Sequence, residues 1–294
     1  MKTITVFTPT YNRAYCLSQL YESLCRQTSD DFKWLIVDDG STDSTAELIE
    51  EWIKEKKICI NYHYKENGGM HTGHNMALKL ITTELNMCVD SDDYVPKDSI
   101  EKIVSFWKNN KSNNYAGILG LDRYKNGDLV STKKFPKNIK SGKYSLLKRK
   151  FGVVGDVKFV YVTDIIKKYD DYPVFTNEKF VPLGYKYSKI DMEYDMLFFN
   201  ETLCIVDYLP DGSTRNMFKQ YYKNPKGFAF SRIESLKGLY SLNEKYIICI
   251  HLVAESLLSG QSPFYNNSNK LLTLFSFPFG VLLYFLILLK NIKQ

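Results

Sequence analysis

The feature that most constrains this chain is an alternation running through its first hundred residues. Short β-branched and apolar runs at 4–8, 34–38, 58–64 and 85–90 are separated by stretches with helical spacing. The helical stretches carry Leu17, Leu20 and Leu24, then Ala46, Ile49, Trp52 and Ile53. A third carries Ala77, Leu78 and Ile81, and a fourth Ile100, Ile103, Val104 and Trp107. Parallel neighbouring strands need a crossover of a dozen or more residues, which an amphipathic helix supplies while covering the sheet face. The pattern therefore predicts an α/β fold with a Rossmann-like, mainly parallel sheet flanked by helices. Thr42-Asp43-Ser44 offers caps for the second helix, and Pro96 suits the first turn of the fourth.

Ligands of an open parallel sheet bind at the carboxyl ends of its strands. All four predicted strand ends are polar. The first runs into Thr8-Pro9-Thr10-Tyr11-Asn12-Arg13 and the second into Asp38-Asp39-Gly40-Ser41. The third runs into Glu66-Asn67-Gly68-Gly69-Met70-His71 and the fourth into Asp90-Ser91-Asp92-Asp93. Asp90, Asp92 and Asp93 repel one another unless a cation sits among them, and hard oxygen ligands suit Mg²⁺ or Mn²⁺ holding a diphosphate. Taken alone, so short a pattern reads first as an ordinary turn with Asp93 or Asp98 near a helix start. A carboxylate at 38–39 either accepts hydrogen bonds from a nucleobase or ribose, or caps a turn. Tyr11 offers a ring for stacking and Arg13 a cation for phosphate. Gly68 and Gly69 let the backbone approach a ligand, with phosphate-binding N–H groups at the next helix start.

Several chemistries are excluded. No G-x-G-x-x-G or P-loop pattern occurs, which argues against a dinucleotide enzyme or an ATPase. His71 and His74 lack the further ligand that zinc needs. Six cysteines stand at unpatterned spacings with no C-x-x-C, and most sit among apolar neighbours, where they read as reduced, buried thiols. The β-branched N-terminus is unlike a signal peptide, so a reducing cytoplasmic compartment is expected. A net charge of +6 permits attraction to phosphates or anionic lipid, and the basic stretch has too few interleaved aromatics for a nucleic-acid partner.

Together, Thr8-Pro-Thr-Tyr-Asn-Arg13, Asp38-Asp-Gly-Ser-Thr-Asp43, Asn67-Gly-Gly with Asn75, and Asp90-Ser-Asp-Asp93 resemble the family 2 glycosyltransferases of the GT-A fold. The resemblance implies a nucleotide-diphosphate sugar donor (a UDP-sugar), inversion at the anomeric carbon and a divalent metal, Mg²⁺ or Mn²⁺. It implies donor contacts from Thr8, Pro9, Tyr11, Arg13, Asp39, Asn67, Gly69, His71, Asn75, Asp90, Ser91 and Asp92. Asp92, with Asp90, would bind the metal. Glu178-Lys-Phe-Val-Pro182 and Tyr208-Leu-Pro-Asp-Gly-Ser-Thr-Arg-Asn216 resemble a bacterial branch that makes surface polysaccharides. Met70 and Leu183 stand where that branch often has Lys and Glu, which bears on donor sugar and acceptor fit.

Inversion needs a base for the acceptor hydroxyl. Asp156, Glu178, Asp191, Glu193 and Asp195 are candidates. Glu178 is favoured because it lies inside a matching motif, 86 residues after Asp92, near where the family places its base. Its plainer reading is a surface carboxylate beside Lys179. Arg215 is a candidate contact for the diphosphate.

Between Ser131 and Gly155 stand Lys133, Lys134, Lys137, Lys140, Lys143, Lys148, Arg149 and Lys150, with no Asp or Glu until Asp156. This is either a solvated loop or a surface facing phosphate. Residues 271–289 carry no charge and are flanked by Lys270 and Lys290, with Pro278 and Gly280 inside. That composition favours a segment lying in or dipping into the cytoplasmic interface over a span. The expected organisation is a nucleotide-sugar-binding half (1–110), an acceptor-binding half (111–235) and a helical membrane-associating region (236–294). The resemblance implies a polyprenyl-diphosphate-linked saccharide acceptor at the cytoplasmic face of the cell membrane, and allows a homo-oligomer or a partner transferase. The alternative is a non-catalytic GT-A-fold subunit that partners another glycosyltransferase.

Overall fold

The computed structural model describes residues 2–207 and 216–292. The chain forms two compact units, Met1–Asp171 with Glu193–Tyr208, and Tyr172–Met192 with Leu209–Gln294. The first holds β1 (Ile4–Thr10), α1 (Ala14–Cys25), β2 (Phe32–Asp38), α2 (Thr45–Glu55), β3 (Ile60–Tyr64), α3 (Met70–Leu80), β4 (Leu85–Cys88) and α4 (Ser99–Asn110). It continues through β5 (Tyr115–Tyr124), β6 (Ser141–Gly142), α5 (Tyr144–Phe151), β7 (Val157–Val162) and α6 (Thr163–Ile166). The second unit holds α7 (Gly184–Glu193), after which β8 (Asp195–Val206) returns to the first.

One eight-stranded sheet runs β3-β2-β1-β4-β7-β5-β8-β6. The first four are parallel, as the alternation predicts, and β8 is parallel to β5. β7 enters antiparallel between β4 and β5, with Met87 opposite Val160, and β6 is antiparallel to β8. This insertion brings the N-terminal end of β7 beside the carboxyl end of β4.

β1 and β2 are buried at almost every position because helices cover both faces. On one face Ile4, Val6, Trp34 and Ile36 pack with Leu17, Leu20, Ile100 and Ile103. On the other Phe7, Leu35 and Val37 pack with Ala77 and Ile81. Each fully buried Leu or Ile contributes about 1.5–3 kcal/mol, so cutting Leu20 to Ala would cost about 2–5 kcal/mol. Of the predicted caps, Asp43 does the work and Ser44 does not. Asp43 Oδ1 accepts from Thr45 N–H (3.1 Å) and Oδ2 from Ala14 N–H (3.2 Å), whereas the Ser44 side chain makes no cap hydrogen bond. Pro96 lies before α4 rather than in its first turn, its carbonyl accepting from Ser99 N–H (3.1 Å).

The second unit also holds α8 (Met217–Lys223), α9 (Pro225–Leu236), α10 (Leu242–Ser259) and α11 (Lys270–Ile292). A reciprocal Ser241–Glu244 capping box starts α10, and Gly260 ends it in the left-handed region. Thr273, Ser276, Gly280 and Ile287 form the buried face of α11. A Cβ on Gly280 would lie 2.4 Å from Val253 Cβ, so only glycine permits this approach to α10. The opposite face, including Leu271, Phe275, Phe279, Leu282, Phe285 and Leu289, is exposed. By length and composition, α11 is long and apolar enough to cross a membrane.

Strands from 111–235 complete the sheet, whereas 172–192 group with the C-terminal helices. The six cysteines are free. Cys59 is exposed, and the other five are half-buried or buried.

Candidate active site

One relay ties β1, β2 and the carboxyl end of β4 together. The Trp34 indole N–H donates to Thr8 Oγ1 (3.0 Å), and the Thr8 hydroxyl donates to the Val89 carbonyl (2.8 Å). Thr8 is therefore a buried strut beneath the site. Beyond it the chain turns through Asn12, at φ 53°. Asn12 Oδ1 accepts from Thr42 N–H (2.7 Å), and Asn12 N–H donates to Ser41 Oγ (2.9 Å). That pairing leaves the Tyr11 ring 47% exposed, available for stacking. The Arg13 guanidinium lies against the Tyr15 ring, 5.6 Å from its centroid.

The second strand end forms a latch. Asp38, fully buried, accepts from Ser41 N–H (2.8 Å) and the Tyr62 hydroxyl (2.8 Å). Asp39, also buried, accepts from Gly68 N–H (2.9 Å), Gly69 N–H (2.7 Å), the Thr72 hydroxyl (3.4 Å) and the Lys65 ammonium. The Gly68 and Gly69 N–H groups thus face Asp39. A carboxylate at the end of the neighbouring strand draws them in, because charge-assisted hydrogen bonds are about twice as strong as neutral ones. Gly69 has φ 94°, which a side chain would strain, and Gly40 stacks closely on Asn67.

From that loop α3 starts. Gly73 lies against Pro9, and His71 and Asn75 are buried. Both His71 ring nitrogens lack a hydrogen-bond partner. Burial pushes its pKa down to about 4, against the pull of Asp39. His71 is therefore neutral at physiological pH.

At the fourth strand end, the motif divides by side. Asp90 is exposed and Asp92 half-buried, whereas Ser91 and Asp93 are buried. Asp93 Oδ1 accepts from Asp207 N–H (3.1 Å), and Tyr94 pairs with Ile205 through two backbone hydrogen bonds. Asp93 therefore pins the turn to β8 while Asp90 and Asp92 face outward. Burial pushes the Asp93 pKa up to about 8; Asp90 and Asp92 add to the rise and Lys158 opposes it. Beneath, Asp122 on β5 is pushed up to about 6 by burial, again opposed by Lys158. Lys158 Nζ, on the inserted strand β7, lies 3.9 Å from Asp122 Oδ1. The sequence reading missed Lys158 and Asp122. They lie far from the motif along the chain, and only the antiparallel insertion brings them under it.

Among the described residues, no three His, Cys, Asp or Glu side chains are grouped to hold a metal. Asp90 and Asp92 offer hard oxygen donors, and Asp122 Oδ1 is buried without a hydrogen bond. This donor set fits a Mg²⁺ or Mn²⁺ ion held by one or two carboxylates, with its remaining positions filled by phosphate and water.

Glu178 belongs to the second unit and is buried, unlike the surface carboxylate weighed above. Its oxygens accept from Lys226 N–H (3.0 Å) and Gly227 N–H (2.8 Å), at the start of α9. It therefore anchors that helix, with one further lone pair on each oxygen. Asp191 is buried, Asp156 and Glu193 are exposed, and Asp195 pairs with Lys143 (3.4 Å). Lys133, Lys134, Lys137, Lys140, Lys148, Arg149 and Lys150 are exposed, with Lys143 half-buried. Arg215 and the motif segment 208–215 lie outside the described residues.

Comparison with known proteins adds the following. Residues 5–169 match the Glycosyl transferase family 2 profile. A 108-residue stretch is 32% identical to the poly(ribitol-phosphate) beta-N-acetylglucosaminyltransferase TarS of Staphylococcus aureus, covering 36% of this chain and 19% of that protein. The S. aureus TarS 1–349 structure in complex with UDP-GlcNAc superimposes with a TM-score of 0.60 at 21% identity, covering 87% of this chain and 73% of that one. The mannosyltransferase PcManGT from Pyrobaculum calidifontis, in complex with GDP-Man and Mn²⁺, gives 0.58 at 15% identity, covering 96% and 86%. At these identities the structures establish the fold, a GT-A-like sheet.

Proposed function

The chain belongs to glycosyl transferase family 2, and from that premise we propose that it transfers a sugar, with inversion, from a UDP-sugar to a hydroxyl of a lipid-linked saccharide in bacterial cell-surface polymer synthesis. The observation that carries this reading is the β4 turn, which directs Asp90 and Asp92 outward at the edge where parallel sheets bind ligands. TarS, a relative by sequence, has been solved with UDP-GlcNAc and is named for a cell-surface polymer, which supports the donor class.

In this reading Tyr11 stacks on the base, Asp39 and its glycine loop line the base and ribose, and Arg13 approaches the phosphates. Thr8, Pro9, Asn67, His71, Asn75 and Ser91 shape the floor and walls. Asp92, with Asp90, would hold a divalent ion, which would supply charge to offset that of the departing diphosphate. The acceptor oxygen attacks the anomeric carbon, its proton passes to a carboxylate, and the bond to the diphosphate breaks. Our assignment for that carboxylate is Glu178, on its motif and spacing, with the N–H groups of Lys226 and Gly227 fixing its orientation.

Helix α11 supports residence at the cytoplasmic face of the membrane. Its two-sided character favours lying in the interface: one face is bound to α10, and the buried Glu255 of α10 is paired with Arg232 of α9 (3.2 Å). A spanning α11 would draw that pair into hydrocarbon, at a cost of several kcal/mol. Lys270 and Lys290 at its ends suit anionic headgroups.

A panel of UDP- and GDP-sugars, scored by thermal stabilisation and by metal-dependent turnover, tests the function. Stabilisation by a UDP-sugar with turnover is expected. Binding without turnover on every donor would favour the non-catalytic partner, and no response to any nucleotide sugar would overturn the donor site.

A further inference from the structure

The basic stretch after β5 is left unused by the proposed chemistry, and the fold gathers it onto one face. Thr132 N–H donates to the Val154 carbonyl (2.7 Å), Val154 N–H to Thr132 Oγ1 (3.0 Å), and the Thr132 hydroxyl to the Gly152 carbonyl (2.9 Å). That stitch brings Lys133 and Lys134 beside the end of α5, whose last turn carries Lys148, Arg149 and Lys150. A Cβ on Gly152 would lie 3.4 Å from Lys133 Nζ. Residues 131–155 contain no Asp or Glu. Elsewhere in this unit the exposed Lys57, Lys79 and Lys111 each lie beside a carboxylate (2.8, 3.1 and 2.9 Å). Among the described residues, no carboxylate pairs with Lys133, Lys134, Lys137, Lys140, Arg149 or Lys150. The dipole of α5 accounts for cations in its last turn, but not for Lys134, Lys137 and Lys140 on the preceding loop. Like charges gathered on one face repel, and an anionic partner turns that repulsion into attraction.

Two features select the partner. Apolar side chains are exposed among the cations: Val154 (46%) in the stitch, and Leu146 (39%), three and four residues before Arg149 and Lys150 on α5. Arg149, the only arginine of the stretch, turns its guanidinium back on Ser145 (3.2 Å to Oγ), so the remaining cations are lysine ammonium groups. An arginine fork suits one shaped phosphate, whereas point charges on long stems, interleaved with apolar side chains, suit a fluid field of headgroups over acyl chains. We propose that this face docks on anionic lipid, as a membrane contact of the sheet-bearing unit that does not depend on α11. The inference rests on the proposed residence at a membrane, but on none of the residues used for it.

Partition of the full chain onto phosphatidylcholine vesicles, with and without phosphatidylglycerol, tests it. Lys133→Gln/Lys134→Gln/Lys150→Gln removes three cations, each worth about five-fold at an anionic surface. Its partition onto the phosphatidylglycerol vesicles should fall roughly 100-fold, with partition onto phosphatidylcholine alone unchanged. Lys54→Gln/Lys56→Gln/Lys97→Gln lowers the net charge equally at exposed lysines elsewhere on the unit, and should bind as wild type. Added salt should shrink the wild-type preference for phosphatidylglycerol, because exposed charges are screened. Equal loss in both triple variants would make the effect one of net charge, and no loss in either would leave the stretch a solvated loop. Both results overturn the docking face while leaving the α11 contact standing. Loss of binding to inorganic polyphosphate without loss on vesicles would make the partner a soluble polyanion, and overturns it too. A wild-type chain that ignores both kinds of vesicle would remove membrane residence, and this inference with it.

Discussion

Asp39→Asn separates two roles for one carboxylate, ligand contact and structural latch. Asp39 receives two backbone N–H groups, a hydroxyl and the Lys65 ammonium, and the two charged side chains are 5% and 16% exposed. An amide of the same shape keeps one acceptor oxygen and turns an NH₂ group toward the remaining donors. Losing one charge-assisted hydrogen bond costs about 1.5–3 kcal/mol. Losing the ion pair adds a penalty at the low end of about 3–5 kcal/mol, reduced further because Lys65 can turn toward solvent and already donates to the Glu66 carbonyl. A total of about 3 kcal/mol follows, and at about 2–4 °C per kcal/mol the melting temperature of the ligand-free protein should fall by about 6–12 °C. Differential scanning calorimetry measures this directly, with UDP added in a second series. A residue that only touches the base would leave the ligand-free melting temperature unchanged and reduce only the UDP-induced rise. A ligand-free shift within about 1 °C of zero would refute the latch.

Other expectations concern separate parts of the molecule. Phe275 and Leu282 are 71% and 58% exposed on α11. If each contributes about 1.5 kcal/mol to insertion, Phe275→Glu/Leu282→Glu should lower partition onto anionic vesicles by roughly 100-fold. Unchanged co-sedimentation would place the membrane contact elsewhere. Glu178→Gln should keep UDP binding, cost about 1–2 kcal/mol through the weakened helix start, and cut turnover at least about 100-fold. Full turnover with only the stability loss would leave Glu178 as an anchor alone. For His71, whose pKa stands at about 4 against an ordinary 6.5, the unfolded chain takes up a proton through that window and the native chain does not. Its contribution is therefore complete above pH 6.5 and lost as pH falls toward 4, on the order of 3 kcal/mol. Denaturant melts of wild type and His71→Leu should diverge in stability difference by that amount across the window, and parallel curves would refute it.

The parallel half of the sheet was legible because it is local: each strand and its following helix state their own periods within about thirty residues. Polar strand ends also read directly, since a sheet wrapped by helices leaves its carboxyl edge as the place for them. The insertion of β7 could not be read that way. Val157–Val162 is an ordinary apolar run, and nothing in it tells which distant strands it will separate. The latch was similarly hidden. A sequence with Asp39 and Gly68-Gly69 names a carboxylate and two free N–H groups, and the fold joins them to each other across the sheet edge. Glu178 was read as a solvated neighbour of Lys179 or a base, and its engagement at the start of α9 depends on a helix 47 residues downstream that no local signal connects to it.

The aspartates after β4 show why composition alone misassigns such clusters. Asp90, Asp92 and Asp93 look equivalent in sequence, and mutual repulsion seems to demand one cation for all three. The turn instead gives alternate residues opposite fates: Asp90 and Asp92 toward solvent, Ser91 and Asp93 inward. Burial pushes the inward acid's pKa up to about 8, so near neutral pH Asp93 is largely protonated and takes little part in that repulsion. The antiparallel insertion is thus more than a topological variation on a parallel sheet. It sets Lys158 beside the buried Asp122, while Asp93, accepting from the Asp207 N–H, anchors the turn from which the other two acids are directed outward.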